Sequence, residues 1–353
     1  MTEAIIAARI EAVRPADRTS YEAARAALDA KTKPRGSLGR LEQLACEVAA
    51  VRRTPNPGRL SGAIVLAAAD HGFAREGVSA YPQAVTGQML ANFASGGAAV
   101  AVLARETGAS LVVVDAGVVT PVRDAGIRSL RVGAGTANAT EGPAMTREQA
   151  VEAVTAGIAI ADELADAGVG VVALGEMGIG NSTSASALAA ILLPVDPALV
   201  CGPGTGLDPN GVARKVVVVR RAIAVNASDT ADPLGVLAAV GGFEIAFLVG
   251  VALGAASRRV VVVLDGFITG AAALVAARLA PPVAEAMIAA HISPEPGHAL
   301  VLEALGLDPL LELGLRLGEG SGAALALPLV RCALAVLADM ATFGEAGVTD
   351  AGR

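Results

Sequence analysis

The chain has 353 residues, of which 54% are hydrophobic and only 2% aromatic, with no tryptophan and a formal net charge of −7. That length suits one large domain, or a large and a small one sharing a core, and the interior must be built from Ala, Val, Leu and Ile. The acidic balance and the shortage of flat side chains exclude the basic footprint and stacking platforms of a nucleic-acid binder.

Residues 3–53 read as helices. Glu3 and Glu11 lie inside an amphipathic stretch that is not a secretory signal. Ser20 is the expected N-cap of a helix over Tyr21–Ala30. Ser37 is the expected cap of one over Leu38–Val51, where Leu38, Leu41, Leu44, Ala45 and Val48 share a face. Thr54-Pro55-Asn56-Pro57-Gly58 closes this section. Short apolar runs follow at Ala63–Ala69, Leu111–Val114, Gly170–Leu174 and Val260–Leu264, each leading through a polar or Gly-rich turn into a helical stretch. Such runs predict parallel strands buried on both faces. Ligands bind such sheets beyond the carboxyl ends of the strands, where Asp70, Asp115, Glu176 and Asp265 fall. From Pro294 the chain is helical again. The expected organisation is therefore a large α/β domain over residues 60–293 and a small helical domain made of 1–59 and 294–353. The apolar stretches 323–343 and 243–256 are poor membrane spans. Arg331 and Asp339 interrupt the first, and the second falls short of the roughly 20 apolar residues required. Cys46, Cys201 and Cys332 form no CxxC pair and, with His71, His291 and His298, give no zinc spacing. No metal is expected, and the cysteine usage reads as cytoplasmic.

Four segments carry candidate chemistry. In Arg316-Leu317-Gly318-Glu319-Gly320-Ser321-Gly322, a carboxylate bracketed by glycines precedes an apolar helix starting near Ala323. Close backbone approach suits a general base, and the helix dipole is expected to favour its ionised form. An acidic helix cap in a flexible turn is the plainer explanation. Gly175-Glu176-Met177-Gly178-Ile179-Gly180-Asn181-Ser182-Thr183-Ser184 joins a strand to a helix. Asn181, Ser182 or Thr183 is its expected cap, and Glu176 is placed to hold ribose hydroxyls. Gly202-Pro203-Gly204-Thr205-Gly206 can present amides to a phosphate, but lacks the GK[ST] ending of a P-loop. Lys215 follows it, one of only three lysines (with Lys31 and Lys33) among 27 basic residues. Asp70-His71-Gly72 opens a turn-rich loop from Val78 to Met89. Its Tyr81, Gln88 and Met89 could wall a flat heterocycle, while His71 alone reads as a structural residue.

Together with Lys33-Pro34-Arg35-Gly36-Ser37-Leu38-Gly39-Arg40-Leu41-Glu42, Gly142-Pro143-Ala144-Met145, Gly241-Gly242-Phe243 and Leu264-Asp265-Gly266-Phe267, these segments fall in a recognisable order. From about residue 20 to about residue 345 the chain resembles the nicotinate-nucleotide:dimethylbenzimidazole phosphoribosyltransferases of cobalamin assembly. The resemblance implies a homodimer with a Rossmann-like parallel sheet, a small helical domain from both termini, and no cofactor. It implies nicotinate mononucleotide and 5,6-dimethylbenzimidazole as substrates. Glu319 matches the catalytic base, and Glu176 and Lys215 match residues around the ribose phosphate. Gly204, Thr205 and Gly206 match the phosphate region. Met177, Gly178, Asn181, Ser293 and Leu317 complete the implied substrate contacts, with Tyr81 and Gln88 at the heterocycle. Two other readings stay open: another acceptor such as adenine, a different benzimidazole or a phenol, and a catalytically silent nucleotide-binding subunit.

Overall fold

The computed structural model describes residues 2–349. Three helices come first: α1 (Thr2–Ala12), α2 (Arg18–Asp29) and α3 (Arg40–Arg52). Asp17, not Ser20, caps α2; its carboxylate accepts from the Ser20 amide at 2.9 Å, so Ser20 lies inside the first turn. Nor does Ser37 cap α3. Left-handed Gly36 and Gly39 prolong the preceding turn, and the helix begins at Arg40.

Among the described residues, six strands then form one wholly parallel sheet in the order β3-β2-β1-β4-β5-β6. β1 (Ser61–Ala69) is followed by α4 (Val85–Ala94) and α5 (Ala99–Thr107), then by β2 (Ser110–Gly117) and β3 (Ile127–Ser129). α6 (Arg147–Asp166), capped by a reciprocal Thr146–Gln149 box, leads into β4 (Val169–Met177). Next come α7 (Asn181–Leu192), α8 (Pro209–Asn226), α9 (Pro233–Val240) and α10 (Phe243–Ser257), before β5 (Val261–Leu264). α11 (Phe267–Leu279), β6 (Met287–Ala289), α12 (Pro296–Leu305), α13 (Ser321–Asp339) and α14 (Phe343–Ala346) complete the chain. The four apolar runs are strands, as expected. β3 and β6, at the two edges of the sheet, are additional.

This is the strand order of a dinucleotide-binding α/β sheet, with its direction of winding reversed between β1 and β4. Ala63–Ala69 and Val261–Leu264 are wholly buried because helices cover both faces. α10 packs on β1, β2, β4 and β5 beneath α6, while α13 packs on β1, β4 and β5 from the other side. α13 also packs against α2 and α3, and the two ends of the chain are tied together. Phe343 N donates to Ala30 O, and Lys31 Nζ donates to Met340 O at 2.6 Å. One continuous apolar core runs from Ile6 to Leu337 through these helices and the sheet. The sheet therefore fixes the relative positions of every loop at its carboxyl edge.

Candidate active site

The carboxyl ends of β4, β5 and β6 open into a cleft of about 100 Å³. Its walls come from the Glu176–Ser182 turn, the Gly204–Thr205 turn, Gly266–Ile268, His291, Ser293, Glu295 and Leu315–Gly318. The structure thus brings Glu176, Met177, Gly178, Asn181, Gly204, Thr205, Ser293 and Leu317 around one space, although they span more than a hundred residues of sequence.

Glu176 closes β4 and is buried. Asn181 does not cap α7; that position is Gly180, at φ +98°. Asn181 instead turns its side-chain amide onto Glu176 Oε2. Burial pushes the Glu176 carboxyl up to about 8, reinforced by the charges of Asp265, Glu244 and Glu319, against which the Asn181 bond acts weakly. At neutral pH Glu176 is a neutral acid, able to donate as well as accept.

Glu319 stands beside the cleft, with its neighbours Arg316–Gly318 forming the wall. It adopts φ +62° between Gly318 at +79° and Gly320 at +80°, a run of left-handed residues that is costly at the only one bearing a Cβ. The glycines are required by contact as well as conformation. A Cβ on Gly318 would meet Glu176 Oε1 at 2.6 Å, and one on Gly175 would meet the Glu319 carbonyl oxygen at 2.8 Å. The Glu319 segment is consequently pressed onto the end of β4, next to Glu176. The expectation that the helix dipole keeps Glu319 ionised is overturned. Burial, with the Asp265 charge adding to it, lifts the carboxyl to about 7. A group so poised can take up and release a proton near neutrality.

Lys215 is fully buried behind the Gly-rich turn rather than in the cleft wall. Its Nζ donates to Gly202 O at 2.9 Å and Ser182 Oγ at 3.1 Å, pinning its charge between the two glycine turns. Burial lowers its affinity for the proton, and Glu295 opposes that effect. Glu295 Oε1 accepts from the Gly204 amide at 2.8 Å, so this carboxylate engages the turn at the point assigned to phosphate. Thr205 Oγ1 lies 3.1 Å from Ser79 Oγ and accepts from Ala80 N at 3.3 Å, fastening the turn to the loop that follows β1. Gly206 lies outside the cleft wall and is exposed.

Tyr81 and Gln88 also lie outside this cleft, both exposed. Gln88 and Met89 belong to α4 rather than to a loop; the turn ends at Ala84. His71 is structural: it is wholly buried, with Nε2 2.6 Å from Oε1 of the equally buried Glu244.

Three side chains at the site were not singled out as contacts in the sequence. His291 and Glu295 line the cleft, and Asp265, 3.8 Å from His291 Nε2, directly precedes the Gly266–Ile268 wall. Asp265 accepts from Gly320 N and Ala323 N, both at 3.0 Å, and so caps α13 from the end of β5. Its position after an apolar strand, within the Leu264–Phe267 segment, was the available signal.

A phosphoribosyltransferase family profile matches residues 13–348. A nicotinate-nucleotide–dimethylbenzimidazole phosphoribosyltransferase of Desulforudis audaxviator is 51% identical over 343 residues, covering 97% of both chains. One of the same name from Azotobacter vinelandii is 51% identical over 346 residues, covering 98% of both. The crystal structure of CobT from Thermus thermophilus superposes with a TM-score of 0.90 at 46% identity, covering 94% of this chain and 99% of that one.

Proposed function

The chain belongs to the nicotinate-nucleotide–dimethylbenzimidazole phosphoribosyltransferase family, and we propose that it moves the phosphoribosyl group of nicotinate mononucleotide onto 5,6-dimethylbenzimidazole. The products are nicotinate and α-ribazole 5′-phosphate, the lower-ligand nucleotide of cobalamin assembly.

The observation that carries the chemistry is Glu319, a carboxyl held near neutrality beside a cleft. In the donor, the pyridine nitrogen is a cation, and the bond from it to the anomeric carbon breaks with both electrons going to the ring. Nicotinate leaves without needing a proton. The free imidazole nitrogen of the acceptor forms the new bond to the anomeric carbon, which makes the opposite N–H acidic. Glu319 takes that proton. A positioned base of this kind contributes about 10²–10⁴-fold, and holding both reactants in register adds roughly 7–11 kcal/mol. Attack on the face opposite the departing ring converts a β-linked donor to an α-linked product. Glu176, as a neutral acid fixed by Asn181, is suited to the ribose hydroxyls. The buried Lys215 cation supports the Gly204–Thr205 turn as the phosphate cradle, where the phosphate competes with Glu295 for the Gly204 amide. Met177, Gly178, Ser293 and Leu317 line the remaining walls against the two rings. Tyr81 and Gln88 reach the heterocycle only if the turn after β1, and the start of α4 with it, move toward the cleft. The large unit over residues 60–293 supplies most of these groups, while 294–349 brings Glu295, Glu319 and the α13 terminus to it.

We read the enzyme as a cytoplasmic homodimer, consistent with its free cysteines; sedimentation velocity measures the assembly. Incubating the purified protein with nicotinate mononucleotide and dimethylbenzimidazole, and identifying the products by mass spectrometry and sugar-proton coupling, tests the reaction. The α-riboside phosphate is expected. No product, or a dominant product from another base in a mixture of acceptors, would overturn the assignment.

A further inference from the structure

Glu319 is the only non-glycine among three consecutive left-handed residues, and within its own segment the turn is closed by Ser321, whose amide and hydroxyl donate to Gly318 O at 3.0 and 2.7 Å. A second restraint, which ties the turn to the sheet, comes from a distant strand. Asp265, 1% exposed at the end of β5, receives Gly320 N on one carboxylate oxygen and Ala323 N on the other. These two amides follow Glu319 closely and open α13, so a single side chain joins the sheet to the turn. The geometry leaves little freedom. A Cβ on Gly322 would come within 2.9 Å of Asp265 Oδ1 and 2.2 Å of His291 Cδ2.

We propose that Asp265 is the positioning residue of the catalytic base: it clamps the Gly318–Gly320 turn to the sheet edge and sets its own carboxylate against the segment that carries Glu319. The proposal rests on Glu319 being the base. The charged groups converging there are Glu176 from the end of β4, Asp265 from the end of β5, and His291 from beyond β6. His291 Nε2 lies 3.8 Å from Asp265 Oδ1. Glu244 on α10 lies behind Glu176, and Arg316 on the same segment is exposed. The first turn of α13 contributes no acidic side chain. Asp265 is thus the charge felt most by Glu319. Burial raises the affinity of Asp265 for the proton, opposed by His291 and by the α13 amides that bond its charged form. The two roles are coupled. The bonds that fix the turn also hold an anion next to the group that must accept a proton.

The test is the pH dependence of kcat for the wild-type enzyme, Asp265→Asn and Asp265→Ser, with Glu319→Gln alongside. Asn keeps one acceptor but turns an NH₂ toward the second amide. Ser accepts from one amide without offering that mismatch in the same fixed plane, and serves if the Asn variant does not fold. In each folded variant the acid limb is expected to move to lower pH, because the repelling charge is gone. Plateau kcat should fall by about 10–10² as the base loses its fixed position, with KM for the nucleotide changing much less. A purely structural role would lower the melting temperature and leave the limb where it was. An unmoved limb in a folded variant therefore overturns the proposal while the base assignment stands. Wild-type turnover by Glu319→Gln would instead remove the base assignment itself.

Discussion

The carboxyl edge of the sheet has two halves, and both end their strands in buried acids. On the β1–β2 side, Asp115 accepts from Gly117 N and Val118 N on one oxygen and from Arg131 on the other. Asp70 accepts from Val119 N at 2.7 Å, and His71 beside it is committed to Glu244. On the β4–β6 side, Glu176 is bonded by Asn181 through one oxygen, and burial and charge alone set the affinity of Glu319 for its proton. The same position in the fold thus supplies braces on one half and titrating groups on the other. The contrast is sharpest between Asp115, whose oxygens are used up by backbone amides and arginine, and Glu319; Asp70 stands between them, with Oδ1 unpartnered and its affinity for the proton raised by burial. Asp265 belongs to both descriptions, being fully bonded like Asp115 but adjacent to the titrating pair.

The sharpest way to break this contrast is to remove one acid from each half. Glu319→Ala should lower kcat by at least about 100-fold while leaving the thermal melt near that of the wild type, because a base is lost rather than a brace. The unmutated enzyme should lose activity as the pH falls through about 7, since Glu319 accepts a proton only when deprotonated; rates across pH 5–9 measure this. Asp115→Asn should do the opposite. It gives up charge-assisted bonds worth about 2 kcal/mol, seen in urea unfolding, without moving the pH limb. The smallest effect is expected for Glu176→Gln. Glu176 is already neutral at pH 7, so an uncharged isostere should keep kcat within about tenfold. Its linkage to stability has a definite sign. A carboxyl whose affinity for the proton is raised to about 8 by folding favours the native state at low pH and loses that contribution as pH rises through about 8. Glutamine has no proton to lose, so the variant's melting temperature should gain on the wild type between pH 6 and pH 9.

The strands of the inner sheet were legible as apolar runs because both faces are covered, and burial leaves no alternation to confuse. β3 and β6 were not legible, since three residues at an edge give no period. Helix starts were misread where the cap precedes the obvious hydroxyl, as Asp17 precedes Ser20, or where glycine conformation takes its place, as at Gly39 and Gly180. The glycines around Glu319 drew attention to the segment that packs on the end of β4, and the rarity of lysine to the buried Lys215. The protonation of Glu319 was not legible, because it depends on burial by strands far away in sequence. The capping role of Asp265 was hidden for the same reason: its amide partners lie 55 and 58 residues further on. Tyr81 and Gln88 show the reverse limit, since a plausible pocket composition did not bring them to the cleft wall.

The most direct measurement is a crystal structure of the protein with the benzimidazole and nicotinate mononucleotide bound together. A Glu319 carboxylate oxygen should lie about 2.6–3.2 Å from the ring N–H, with the other ring nitrogen aimed at the anomeric carbon. A heterocycle bound elsewhere, or a Glu319 carboxyl turned out to solvent while both substrates are seated, would contradict the mechanism proposed for this site.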